Sequence, residues 1–302
     1  MVLDRIWRRG EFCSVFSTTI DGGSNIAIKM LRQNKLSSTS AARDLEFEMH
    51  LMSRIHHKHV LRCIGTSVPD AAPDRKFIAL QTLHSTLHDA LPPPPLPDGT
   101  STLARMAALK RWPMSRSLQL SLELAVALRY LHDQCFATYR LLHRDIKPRN
   151  LGIMRDGRLV VFDFGISKLV RRSTFSKGSS GEDAEPAIPM TGMVGSLRYM
   201  APEIALMQPY NHKSEVYSFA IVLWETVALR RPFENILPET FEQRVCVDKE
   251  RPKLNEKKWP PALCALLSRC WTHNFAERPE FQEVVNAMMT IVAEGARSSE
   301  VK

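Results

Sequence analysis

An octapeptide near the middle of the chain constrains the fold most strongly. Residues 143–150 read His-Arg-Asp-Ile-Lys-Pro-Arg-Asn, a polar loop after a helical pattern, and its charged groups would be costly to bury without a use. Asp-Phe-Gly follows at 163–165, and Ala-Pro-Glu follows at 201–203. The alternative is a chance His-Arg-Asp in a turn, and the two motifs downstream argue against it.

In this order the three motifs resemble the signature set of the eukaryotic protein kinases, and the resemblance covers nearly the whole chain. It implies an α+β, two-lobed protein-kinase-like fold with a small β-rich N-lobe, which holds one key helix, and a large, mainly helical C-lobe. The residue patterns agree, because strand patterns gather early and helical patterns late. We expect one kinase domain over 1–302, with the N-lobe at about 1–80, the hinge at about 81–84 and the C-lobe at about 85–295.

A proline-rich stretch at 92–100 cannot continue a helix or a central strand. We expect it to open an insertion at about 92–113 that forms a surface loop. The next segment, 115–133, is ambiguous at its start, where leucines alternate as in a strand. Its length and the later apolar run favour a buried helix.

The resemblance implies ATP and Mg²⁺ as cofactors and assigns roles in the cleft. Phosphoryl transfer needs one carboxylate to orient the hydroxyl nucleophile and oxygen ligands for the metal. Asp145 matches the first role, and Asn150 and Asp163 match the metal ligands. Lys147 would neutralise charge on the transferred phosphate, and Ser196 would replace the usual threonine that hydrogen-bonds the catalytic aspartate and lysine.

A lysine and a glutamate in the first fifty residues complete the expected phosphate site. Strand-like alternation on either side of the turn signals at 21–24 predicts a β-hairpin that carries Lys29. Glu48 shares a helical face with Leu45 and Met52, where an unpaired carboxylate is costly to bury, whereas Glu46 lies off that face. The resemblance implies that Lys29 binds the α- and β-phosphates and pairs with Glu48.

The phosphate-binding loop departs from the family pattern. Aligning 8–16 on the pattern G-x-G-x-x-G-x-V leaves Gly10 at the middle glycine, with Arg8 at the first and Cys13 at the third. The resemblance places Val15 and Ala27 at the nucleotide as well. Arg8 is either a bystander or an added contact to ATP, and the sequence leaves both readings open.

The segment 77–83 resembles the hinge, with Leu80 at the gatekeeper position and the backbones of Gln81 and Leu83 facing adenine. An apolar heptapeptide is more often a plain core strand, which is the alternative. Two further departures concern Gly152, where a leucine usually packs beneath adenine, and Glu215, where an aspartate usually holds the catalytic-loop backbone. We expect less apolar contact to the base and a looser catalytic loop.

Motifs at 214–225 and 270–279 resemble the tyrosine-kinase and tyrosine-kinase-like groups, in which Arg278 would pair with Glu203. Lys147 and the stretch 195–200 resemble the Ser/Thr type. The sequence therefore predicts a protein serine/threonine kinase of the tyrosine-kinase-like kind.

Control by phosphorylation is a hypothesis, because Arg144, directly before Asp145, supplies a fixed cation for a phosphate on the activation segment, residues 163–203. Thr191 is the favoured site by its position; the candidate hydroxyls are Ser173, Thr174, Ser176, Ser179, Ser180 and Thr191.

Composition narrows the class and the compartment. Lys+Arg 41 against Asp+Glu 32 gives a net charge of +9, but the basic residues are scattered and no basic motif is interleaved with aromatics. We therefore expect ATP and a protein substrate as partners, and no nucleic acid. No apolar segment is long enough for a membrane span, and six cysteines without a CxxC pair fit a reducing compartment.

We expect a soluble, cytoplasmic protein, with the oligomeric state open. The main alternative function is a pseudokinase, a nucleotide-binding or protein-interaction scaffold. It is disfavoured because Lys29, Asp145 and Asp163 are all present.

Overall fold

The computed structural model describes residues 5–20, 23–96, 100–172 and 196–300. The first lobe of the protein is built on an antiparallel sheet. The sheet has five strands in the order β1-β2-β3-β5-β4. Their bounds are Arg5–Arg9, Cys13–Ile20, Ser24–Leu31, Cys63–Thr66 (β4) and Phe77–Gln81 (β5). The predicted hairpin is confirmed, because β2 and β3 pair in register from Cys13–Leu31 to Ile20–Ser24.

Alternation along β3 gives the sheet two different faces. Ile26 and Ile28 pack with Ala79 in a small cluster of their own, whereas Ala27 belongs to the main core and Lys29 points into the cleft. The strand therefore carries the lysine to the face that meets the second lobe.

Helix α1, Thr39–Met52, packs beside this sheet. The side chain of Ser38 caps it by accepting from the backbone N–H of Ala41 at 3.3 Å. Leu45, Glu48 and Met52 are all buried, which confirms the predicted helical face.

The second lobe is mainly helical. Helix α6, Ser214–Ala228, runs through its centre and is buried over almost its whole length, including its polar residues Glu215, Glu225 and Thr226. The lobe contains helices α2 to α9, with bounds Leu87–Ala90, Leu103–Lys110, Met114–Arg129, Pro202–Ala205, Ser214–Ala228, Pro238–Phe241, Pro261–Cys270 and Phe281–Glu300. Together with the sheet lobe, this confirms the predicted two-lobed α+β fold.

Short strands in the second lobe hold the polar motifs at the cleft. One sheet has the order β6-β8-β9, with bounds Ser85–Thr86, Leu151–Ile153 and Leu159–Val161. A second pairs β7, Tyr139–Leu142, with β10, Lys168–Arg171. The octapeptide lies between β7 and β8, and Asp-Phe-Gly lies between β9 and β10, so both motifs emerge from the same side.

The insertion differs from the predicted loop. Residues 92–96 lack helix and strand, but Leu103–Lys110 forms the helix α3. Thr102 caps this helix by accepting from the N–H of Arg105 at 3.1 Å, and the alanines, leucines and methionine that follow are good helix formers. The predicted buried helix at 115–133 is confirmed as α4, which continues through a wider turn to Gln134.

No helix in the described part of the chain has both the length and the apolar character needed to cross a bilayer.

Candidate active site

A cleft of about 810 Å³ lies between the sheet of the first lobe and the loops of the second. It collects all the predicted site residues except Arg8: Gly10, Val15, Ala27, Lys29, Glu48, Gln81, Leu83, Asp145, Lys147, Asn150, Asp163 and Ser196. Of Arg8 the structure describes the backbone, which pairs with Val15, and its side chain lies outside the described part.

A buried ammonium group links the two lobes. Lys29 Nζ lies 2.8 and 2.7 Å from the two carboxylate oxygens of Glu48 and 2.7 Å from Asp163 Oδ1. Burial alone would lower the pKa of Lys29, but the charges of Asp163 and Glu48 outweigh it and raise that pKa. Lys29 is therefore a fixed cation, and the predicted pairing with Glu48 is confirmed.

The Asp-Phe-Gly motif is locked against α1 and the catalytic loop. The Phe164 side chain is fully buried, and its backbone N–H donates to Glu48 Oε1 at 3.2 Å. His143 Nε2 lies 3.0 Å from the carbonyl oxygen of Phe162, and its ring centroid lies 4.9 Å from that of Phe164. These contacts turn Asp163 into the cleft.

Two non-glycine residues of these motifs have left-handed backbones. Arg144 has φ 69° and Asp163 has φ 71°. Such conformations cost on the order of 1–3 kcal/mol each and persist where neighbouring contacts enforce them. Here the strain aims Asp145 and Asp163 at the same space.

The catalytic loop forms a compact polar network with Ser196 of the activation segment. Lys147 Nζ lies 2.6 Å from Asp145 Oδ2 and donates to Ser196 Oγ at 2.8 Å. Ser196 Oγ donates to Asp145 Oδ1 at 3.3 Å. The serine thus makes both contacts that were predicted for it in place of threonine.

Asn150 is oriented so that its oxygen faces a cation site. Its Nδ2 donates to Asp145 O at 2.9 Å and to Asp145 Oδ2 at 2.7 Å. Its Oδ1 is buried and accepts no hydrogen bond from any residue that the structure describes, an arrangement that is costly unless a ligand completes it. Together with the Asp163 carboxylate it offers the hard oxygen donors that Mg²⁺ takes, so these residues fit the metal.

Glu215 secures the catalytic loop from below through two buried contacts. Its Oε1 accepts from the backbone N–H of Arg144 at 2.6 Å, and its Oε2 lies 2.6 Å from His132 Nε2. Burial alone would raise the pKa of Glu215, but the hydrogen bond and charge of His132 and the Arg144 N–H reverse this and lower it. The Glu215 carboxylate therefore spans two partners, and the looser catalytic loop expected from its extra methylene stays a prediction.

The Leu83 side chain fills the space next to Gly152. A Cβ built on Gly152 would lie 2.4 Å from Leu83 Cδ2 and 3.1 Å from Val160 Cγ2. Leu83 therefore occupies the space above this glycine. Leu83 thus places apolar surface where Gly152 has no side chain.

In the phosphate loop, the N–H of Gly10 donates to the carbonyl oxygen of Cys13 at 2.8 Å. A Cβ on Gly10 would lie 3.2 Å from that same oxygen, which is tighter than ordinary contact. A larger residue would push this carbonyl back by a few tenths of an ångström, so glycine suits the close backbone approach here. Burial raises the pKa of the Cys13 thiol to about 11, so it stays protonated and acts as a small apolar residue.

The segment after the activation loop is pinned by a buried ion pair. Arg278 Nη1 and Nη2 donate to the two oxygens of Glu203 at 2.6 and 2.9 Å. This confirms the predicted pairing. The six candidate phosphorylation hydroxyls, Ser173 to Thr191, lie outside the described residues.

Sequence reasoning missed several residues of the site. His132 has no motif signal, and it matters because it takes the second oxygen of Glu215. Asp44 and Arg155 also line the cleft. Within the described residues no group of His, Cys, Asp and Glu side chains is arranged to hold a metal ion by itself.

The comparisons with known proteins agree with this geometry. The family model described as protein tyrosine and serine/threonine kinase matches residues 1–288. The serine/threonine/tyrosine-protein kinase HT1 of Arabidopsis thaliana is 36% identical over 267 residues, which cover 86% of this chain and 58% of the relative. The dual specificity protein kinase shkE of Dictyostelium discoideum is 27% identical over 96% of this chain and 36% of its own length.

The serine/threonine-protein kinase STY46 of Arabidopsis thaliana is 28% identical, over 97% of this chain and 43% of the relative. The chain thus spans between about a third and three-fifths of the length of these relatives. The family match covers nearly all of the chain, and two of its motifs, the octapeptide and Asp-Phe-Gly, meet in one cleft. This chain belongs to the protein tyrosine and serine/threonine kinase family.

Proposed function

We propose that this chain transfers the γ-phosphate of ATP to serine and threonine hydroxyls of protein substrates. One observation carries the proposal. Lys29 is bonded to both Glu48 and Asp163, while Asp145, Lys147 and Ser196 form their own network in the same cleft. A phosphate-binding cation and a hydroxyl-orienting carboxylate are therefore present together.

Each residue then has a role that follows from its contacts. Asp145 accepts a hydrogen bond from the substrate hydroxyl and aligns it with the phosphate, while Lys147 offsets the negative charge that gathers there. Lys29 holds the phosphates of ATP in place. Asn150 and Asp163 would hold Mg²⁺, which would supply charge neutralisation for the phosphate oxygens. Ser196 keeps Asp145 and Lys147 at a fixed separation.

The adenine end is proposed to lie against Val15, Ala27 and the backbones of Gln81 and Leu83. The N–H of Gln81 is already bonded to the carbonyl oxygen of Arg62 at 3.0 Å, so we assign its carbonyl to the base. Gly10 approaches the phosphates of ATP. Arg8 is either a bystander or an added contact to ATP. We keep the division into N-lobe, hinge and C-lobe at about 1–80, 81–84 and 85–295 as part of this proposal.

Serine and threonine are favoured over tyrosine because Ser196 bridges Lys147 and Asp145. The names of the relatives include both serine/threonine and dual specificity kinases. Those names also weigh against a pseudokinase scaffold.

Control by phosphorylation between 173 and 191 is supported by Arg144, whose buried Nε has no partner among the described residues. An intracellular, cytoplasmic location is supported by the use of ATP and by six free cysteines. The proposed macromolecular partner is a protein substrate, and the scattered charges favour no nucleic acid.

The test compares phosphate incorporation by Asp145→Asn with that of the unmodified chain, using Mg²⁺, ATP and mass spectrometry. We expect the variant to lose about 10²–10⁴-fold in rate. Asp156→Asn is the matched control, because Asp156 is an exposed aspartate whose side chain contacts Arg158 outside the cleft. Equal rates for the unmodified chain and Asp145→Asn, or no incorporation by either, would refute the proposed function.

A further inference from the structure

The insertion begins with a stretch whose backbone has little choice of conformation. Residues 91–96 read Leu-Pro-Pro-Pro-Pro-Leu. Each proline fixes its own φ near −65° and forces the residue before it into an extended conformation. Leu91 accordingly has φ −63° and ψ 141°, the values of a polyproline II helix. The segment is therefore a left-handed helix with three residues per turn.

Burial along this segment follows the same period of three. Pro92 is buried and Pro95 is half-buried, so these two residues face the second lobe. Pro93 and Pro94 are exposed, and Leu96 is 45% exposed. One face of the polyproline helix is thus docked on the protein, and the other two faces point to solvent.

A buried arginine fastens the segment to the second lobe. Arg105, which is only 6% exposed, donates to the carbonyl oxygen of Pro93 and, at 2.9 Å, to that of Leu229 just beyond the end of α6. Burying a guanidinium group is costly, and here its hydrogen bonds to two backbone carbonyl oxygens hold the proline-rich segment against the second lobe. The segment is therefore ordered before any partner arrives, which lowers the entropy lost on binding.

We propose that residues 92–96 form a docking site for a partner domain with an aromatic-lined groove of the WW kind. Such grooves accept preformed polyproline II ligands by packing aromatic rings against exposed prolines. The charge of the segment narrows the choice, because 77–104 contains no Lys or Arg. A groove rimmed by carboxylates would find no exposed cation within the segment, because Arg105, which donates to Pro93, is buried. A neutral aromatic groove needs no cation. Leu103 and Met106 on α3, 86% and 50% exposed, add apolar surface on the same insertion.

The test titrates the purified chain with an isolated WW domain that binds peptides of consecutive prolines and leucine, by calorimetry. We expect saturable binding that Pro93→Ala/Pro94→Ala weakens at least about tenfold. Pro238→Ala is the matched control, because Pro238 is an exposed proline in another helix, and it should leave the affinity unchanged. Absence of binding, or equal binding by the double variant, would overturn the proposal.

Two further arms test how the segment is recognised. An SH3 domain with a carboxylate-rimmed groove should bind more weakly than the WW domain, and equal or tighter binding would contradict the charge argument. A synthetic peptide of residues 90–98 should bind several-fold more weakly than the whole chain, because it lacks the fastening by Arg105. Phosphate incorporation by Pro93→Ala/Pro94→Ala should equal that of the unmodified chain, and a loss would tie the segment to catalysis instead.

Discussion

Replacing Gly152 by alanine tests whether Leu83 has taken over the floor of the adenine site. The new Cβ would lie 2.4 Å from Leu83 Cδ2 and 2.9 Å from Leu83 Cδ1. The backbone of Gly152 is not left-handed, so the strain is purely steric and Leu83 must move. Overpacking of this kind costs about 1–3 kcal/mol. The displaced leucine would also intrude on the base, so the affinity for Mg²⁺-ATP should fall.

The expected shift in melting temperature follows from the size of the chain. An unfolding entropy of about 2.1 cal/mol/K per residue gives roughly 0.6 kcal/mol/K for a chain of 302 residues. A loss of about 2 kcal/mol therefore lowers Tm by about 3 °C. Gly65→Ala is the control, because Gly65 also lies in a strand and a Cβ there meets no atom within 4 Å. It should be neutral or slightly stabilising.

A double-mutant cycle separates this mechanism from a general intolerance of Gly152 to change. In a Leu83→Ala background the two clashes with Leu83 are gone and the 3.1 Å approach to Val160 Cγ2 remains. Gly152→Ala should then cost much less, giving a coupling of about 1–3 kcal/mol. Urea unfolding without Mg²⁺-ATP measures the loss of stability. The additional stabilisation when Mg²⁺-ATP is present measures the loss of affinity. An equal cost of Gly152→Ala in the two backgrounds would refute the role assigned to Leu83.

Three other perturbations test contacts beneath the cleft. Burial raises the pKa of Glu225 to about 7, so its contribution to stability is present below about pH 4.5 and is lost as the pH rises to about 7. Glu225→Gln should flatten this part of the pH profile of the unfolding free energy, measured in urea, by at most about 3 kcal/mol. Glu215→Asp is too short to reach both of its partners and should release His132, lowering the unfolding free energy by about 1–3 kcal/mol in urea titrations although it restores the residue usual in the family. Arg278→Met leaves a carboxylate buried and unpaired and should cost about 3–5 kcal/mol by the same assay, whereas Arg230→Met at an exposed pair should cost under about 1 kcal/mol.

The residues that the sequence predicted best are those whose chemistry leaves few substitutes. Asp145, Asn150 and Asp163 stand at fixed spacings in loops, and the structure brings them together as expected. Glu48 was found because a carboxylate on an apolar helical face requires a partner, and Lys29 is that partner. Local sequence patterns therefore predict a contact well where a charged group that is costly to bury requires a partner of opposite charge.

Contacts between distant segments were beyond local patterns. His132 and Glu215 are 83 residues apart, and neither position signals the other. Likewise, Leu83 covers Gly152 from a different element, so a glycine that looked like a gap is packed. The segment predicted as a loop at 92–113 contains α3. Thr102 caps this helix and Arg105 anchors it to Leu229, but the prolines at the start of the segment favoured a loop.

The contacts of Lys29 imply a thermodynamic linkage between metal and nucleotide. One ammonium faces two carboxylates, so the cluster of Lys29, Glu48 and Asp163 carries a net charge of about −1 and repels a free polyphosphate. A divalent cation at Asp163 would weaken the hold of this carboxylate on Lys29 and would make the ammonium available to an incoming anion. Each ligand would then raise the affinity for the other by the same factor. The cleft should therefore discriminate against uncomplexed ATP and capture the Mg²⁺ complex as a unit.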